Sequence, residues 1–124
     1  MEDLEKIAKD VVHCAYQIHK QLGPGLLEKV YEICLEFELK NCGYDVKRQT
    51  KVSINYKGIE FRESLRLDLL VNDSIIIEVK AVENANPVWD AQIISHLKLT
   101  NKKIGFLINF NVPIIKKGIK RFVN

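Results

Sequence analysis

The sequence predicts a mixed α/β fold, and two changes of periodicity carry that reading. Apolar residues spaced three and four apart run from Leu4 to Leu39, with one break at Gly23-Pro24-Gly25; from Tyr44 the spacing shifts towards two. A helical pattern returns after Pro87 and gives way to one more apolar run. The expected order is two helices, three or four strands, a helix and a strand.

In the first helix, Leu4, Ile7, Ala8, Val11, Val12, Ala15, Ile18 and Leu22 share a face, and the glycine-proline-glycine turn stops it. The second begins near Leu26 and carries Leu27, Val30, Tyr31, Cys34, Leu35 and Leu39, with Gly43 as a left-handed cap. The two are expected to form a helical hairpin. Next, "VSINYKG" sets Val52, Ile54 and Tyr56 on one strand face, Gly58 supplies a turn, and "IEFRES" and "LRLDLLV" follow. The next strand, "SIIIEVKAV", comes after Asn72-Asp73. Pro87 suits a first helical turn, and Val88, Ala91, Ile94, Ser95 and Leu97 to Leu99 continue a third helix. "IGFLINF" reads as a final buried strand leading through Pro113 into the basic "IKKGIKRFV".

A chain of 124 residues, 47% hydrophobic and 28% charged, fits one globular domain spanning residues 1–124. No apolar run approaches the roughly 18 to 20 residues of a membrane span, and the opening Met1-Glu2-Asp3 is acidic, so the expected location is the cytoplasm. Cys14, Cys34 and Cys42 make an odd count without a CxxC pair; they read as near-core residues in a reducing compartment. A zinc site joining one of them to His13 or His19 has no ligand spacing behind it. The net charge of +3 identifies no partner, although Lys98, Lys102, Lys103, Lys116, Lys117, Lys120 and Arg121 make the last third basic. A solvated lysine-rich surface explains that equally well.

Chemistry is suggested by acids placed among aliphatic residues. In a strand Ile76, Glu78 and Lys80 share one face, and Asp68 is a lone acid inside "LDLLV". The two carboxylates meet only if Val71 faces Ile75 across Asn72-Asp73-Ser74, or in a longer loop of the same register; a two-residue turn sends them to opposite faces. Converging carboxylates beside a lysine suit a hard divalent cation such as magnesium. Such an ion polarises a phosphate, while Lys80 orients the attacking water. The plainer alternative is a strand edge where the acids reach solvent or pair with Lys80.

A wider pattern surrounds this one. "HKQLGPGLLEKVYEICLEFEL" contains Gly25-x-x-Glu28-x-x-Tyr31, and with "RLDLLV", "IIIEVKAV", "AQIISHLKLT" and "IGFLINFNVPIIKKGIKRFV" it resembles the GxxExxY family of the PD-(D/E)XK nuclease superfamily. The resemblance implies a restriction-endonuclease-like fold, a central mixed sheet flanked by helices, with Asp68, Glu78 and Lys80 in the D, E and K positions. It also implies Glu28 as a further ligand of Mg2+ or Mn2+, with Asp68 and Glu78, and Gln92 as a contact to phosphate or catalytic water. Leu67 stands where the superfamily motif has proline. His96, one turn after Gln92, reads as a surface or second-layer residue, Tyr31 as core with its hydroxyl near a site carboxylate, and Trp89 as a packing or interface residue.

The function implied is a metal-dependent phosphodiesterase acting on nucleic acid, DNA first. The alternative is a non-catalytic nucleic-acid-binding or accessory module that keeps the fold; a protein-interaction subunit ranks third. No sequence-reading module is recognisable, so specificity would come from substrate shape, a homodimer or another protein.

Overall fold

A computed structural model describes residues 3–124. Helices α1 (Leu4–Leu22) and α2 (Glu28–Asn41) precede strands β1 (Val46–Tyr56), β2 (Ile59–Val71) and β3 (Ile75–Lys80); α3 (Val88–Thr100), β4 (Ile104–Asn109) and β5 (Ile119–Val123) follow. The sheet runs β1-β2-β3-β4-β5. Among the described residues only β3 and β4 pair in parallel, and α3 is the crossover between them.

Each face of the sheet is covered by different helices. Leu69, Val71, Ile75, Ile77, Val79, Phe106 and Ile108 pack with the buried residues of α1 and α2. On the other face Leu70 and Ile76 cluster with Leu67 and with Leu97 of α3. This is the α/β architecture expected, a five-stranded mixed sheet between helical layers.

Local chemistry fixes the hairpin of helices. Asp3 caps α1, its Oδ1 accepting from the backbone N–H groups of Glu5 at 3.1 Å and Lys6 at 3.2 Å. Gly43 adopts φ 92°, the left-handed geometry expected after α2. Between the helices, Tyr31 acts as a clamp. Its hydroxyl donates to Gly23 O at 2.7 Å and accepts from Leu26 N–H at 3.1 Å, so it holds the interhelical turn and not a site carboxylate. Its buried ring stacks on Phe110 with centroids 4.5 Å apart, tying the start of α2 to the end of β4. Tyr31→Phe keeps the stack but leaves both backbone groups without this partner. Urea unfolding is expected to show a loss of about 1 to 2 kcal/mol.

Several sequence expectations are corrected. α2 begins at Glu28, and Leu27 is 77% exposed. The buried residues of α3 are Ile93 and Leu97; Val88, Ala91, Ile94, Ser95 and Leu99 face outward. Tyr56 is exposed because the β1–β2 hairpin runs on past its neighbour β3. The basic tail forms strand β5, antiparallel to β4. Of the cysteines, Cys14 is buried, Cys34 half-buried and Cys42 exposed. No helix of the described residues is long and apolar enough to cross a membrane.

Candidate active site

The β2–β3 connection sets the site. Asn72 and Asp73 take φ values of 49° and 51°, and Val71 faces Ile75, followed by Leu70 with Ile76 and Leu69 with Ile77. This is the register that the two-carboxylate reading required. The ladder ends one step short of Asp68 and Glu78, however. There the Val79 N–H donates to Asp68 Oδ2 at 2.9 Å, a side chain taking the place of a backbone acceptor.

β1 is disturbed at the same level. Arg48 pairs with Leu69 and Thr50 with Leu67, but Gln49 drops out of the ladder with φ 52°. Its amide Nε2 donates to Glu32 Oε1 at 2.7 Å and to Asp68 Oδ1 at 3.3 Å. Both strands also change faces here: Val46, Leu69 and Val71 pack towards α1 and α2, whereas Val52, Leu65 and Leu67 join the cluster with Leu97. Asp68 therefore sits at a break in the sheet, with acceptor oxygens reachable from both sides.

From the α2 side come Glu28 and Glu32, four residues apart and hence neighbours on one helix face. Ligand oxygens of Glu28, Glu32 and Asp68 all lie within 4.8 Å of one another. Glu32 is 3% exposed and also lies 3.5 Å from Arg48 Nη1. Partial burial pushes the Glu28 carboxyl above its ordinary value; the Asp68 charge adds to this, and Lys80 opposes it.

From the α3 side comes Glu78. Its Oε1 is 3.3 Å from His96 Nδ1, and the side chain is 12% exposed. Burial pushes its carboxyl up to about 7; the contact with His96 pulls downward, while the charge and hydrogen-bonding reach of Asp68 push upward. Lys80, two residues on, holds its Nζ 5.2 Å from the ring centroid of Trp89. Gln92 is exposed on α3 one turn before His96.

Thus Glu28 and Asp68 fall in one three-carboxylate group, Glu78 interacts with that group through Asp68, and Lys80 stands near Trp89 and within electrostatic reach of Glu28. Sequence reasoning missed Glu32 and Gln49 and left His96 in a secondary place. The i, i+4 spacing of Glu28 and Glu32 was a usable signal for the first; nothing local announces the second.

The donor set suits a hard divalent cation. Opposite oxygen ligands of magnesium are about 4.2 Å apart, so small side-chain rotations bring three oxygens within 4.8 Å into range. Carboxylate oxygens favour magnesium, manganese or calcium over softer metals.

A helix-flanked mixed sheet, split beside an aspartate and carrying Glu-x-Lys on the adjoining strand, defines a nuclease-like α/β protein. A family model for the PD-(D/E)XK nuclease superfamily matches residues 5–122, and the chain belongs to that superfamily. No curated protein and no solved structure matches it.

Proposed function

We propose that the protein is a metal-dependent nuclease hydrolysing phosphodiester bonds, with DNA as its first substrate, and that it is a GxxExxY-type member acting as one domain. The observation that supports this best is Asp68, placed between the Glu28–Glu32 pair on α2 and the Glu78–Lys80 pair on β3. Glu28, Glu32 and Asp68 would hold Mg2+ or Mn2+, with Glu78 adjoining. When bound, the cation would polarise the phosphate and lower the pKa of an attacking water. Gln49 fixes the orientation of Glu32 and Asp68 by bonding both. The Lys80 ammonium supplies positive charge where the phosphate gains negative charge. Gln92, exposed on α3, is available to the phosphate strand.

One observation favours the accessory reading: Glu78 lies against His96 and outside the three-carboxylate group. The test separates the two. Linear, branched and single-stranded DNA, and RNA, are incubated with the protein in magnesium, manganese or EDTA. Cleavage is expected with either metal and none in EDTA; metal binding without turnover on any substrate would favour the accessory module. The proposed location is the cytoplasm, and a homodimer or protein partner would supply any specificity that this short chain lacks.

A further inference from the structure

Trp89, whose ring centroid is 5.2 Å from Lys80 Nζ, is also a wall of a cavity of about 450 Å3. That is within the size range of small-ligand pockets. Trp89, Asn86, Leu107, Asn109, Lys117 and Lys120 are among its walls. Sheet register ties two of its walls to the motif strand. Leu107 is the β4 partner of Glu78, and Asn109 that of Lys80, so two wall residues stand one strand, about 4.8 Å, from the motif residues. Lys120 in turn pairs with Leu107.

The polar and aromatic groups of the lining have separate tasks. Trp89 is half-buried, lies near the Lys80 ammonium, and offers the cavity an aromatic wall. Lys120 is already committed, its Nζ 3.1 Å from Asp90 Oδ2. Asn109 is likewise spent on the backbone, accepting from Val82 N–H at 3.2 Å and donating to Val82 O at 3.0 Å. Lys117 is exposed and brings positive charge to the rim. Glu83 and Asp90 also line the cavity, so the lining as a whole is balanced in charge and Lys117 is the lysine left for a phosphate. An aromatic wall with that lysine at its rim, one strand from the Glu78–Lys80 strand, matches a nucleotide with its base on the ring and its phosphate at the lysine.

We propose that this cavity is a subsite for one unpaired nucleotide flanking the phosphate to be cleaved, with its base stacked on Trp89. This rests on the nuclease reading. It makes single-stranded or locally opened nucleic acid the preferred substrate class, since a base inside a duplex must first leave its stack.

Trp89 is the only tryptophan in the chain, so its emission reports on the cavity directly. The full chain is titrated in EDTA with a ten-nucleotide thymidine strand, following tryptophan emission and, with a labelled strand, anisotropy. Quenching that saturates together with the anisotropy change is expected. Trp89→Leu should weaken binding about tenfold or more, and Trp89→Phe much less, because a ring remains to stack on. Lys117→Ala should weaken it less and lower the salt slope by about one. Strand binding with unchanged emission, equal affinity of Trp89→Leu, or no binding at all would overturn the subsite. Quenching without cleavage in magnesium or manganese would remove the nuclease reading and leave the subsite standing; cleavage without quenching does the reverse.

Discussion

Asp68→Asn is expected to abolish metal-dependent cleavage while leaving the metal-free protein as stable as before, or more so. The opposite signs follow from what the side chain does. As an acceptor, Asp68 closes the gap in the β2–β3 ladder by taking the Val79 N–H. As a charge, it adds to the repulsion felt by Glu28 and Glu78. Asparagine keeps an acceptor oxygen for the Val79 N–H and removes the charge; it gives up only the longer 3.3 Å bond from Gln49 Nε2, a loss that the relieved repulsion offsets. Stability in EDTA should therefore hold or rise, by an amount typical of relieving one unfavourable pair of charges. Cleavage should fall at least about 100-fold, because a neutral amide oxygen is a poor ligand and loses electrostatic stabilisation where charge develops. Asp68→Ala is the informative contrast: it also removes the acceptor and should lower the unfolding midpoint as well as the rate. Cleavage that persists in Asp68→Asn at the wild-type rate would move the activity away from this site.

The same residue shows what sequence could and could not disclose. The β2–β3 register was legible only as a choice: a loop that places Val71 opposite Ile75 brings the acids together and a two-residue turn separates them, and the structure has the first. The face switch at Gln49 and Asp68 was not legible, since it depends on two strands leaving alternation together and no local residue type requires that. α3 hid its phase for another reason. Val88, Trp89, Ala91, Ile93, Ile94, Leu97 and Leu99 surround the helix with apolar residues, so spacing alone did not pick out Ile93 and Leu97. β5 was obscured by Lys120 and Arg121, which suit a sheet edge and protect it from further pairing. Glu32 looked like any helical glutamate among Glu28, Glu36 and Glu38. Its burial becomes intelligible only with Gln49 and Arg48 opposite it.

Raising the pH from 4.5 towards 8 is expected to destabilise the metal-free protein, and Glu78 is the main cause. Its ordinary value is 4.5, and in the fold burial pushes it to about 7. Between those values the folded chain holds a proton that the unfolded chain has released, so stability falls as pH rises. The contribution is complete below 4.5 and gone once the pH has passed through about 7; it amounts to roughly 3 kcal/mol. Glu28, also raised, acts in the same direction. Urea titrations in EDTA across this range measure the slope, and Glu78→Gln should flatten most of it, because glutamine stays neutral throughout. An unchanged slope in that variant would refute the assignment. Magnesium provides the converse: carboxylate ligands must be ionised to bind it, so its stabilising effect should be larger at pH 8 than at pH 5.5. The proton at Glu78 and a cation at the Glu28–Glu32–Asp68 group thus act on neighbouring carboxylates coupled through Asp68, and each relieves part of the same crowding of negative charge.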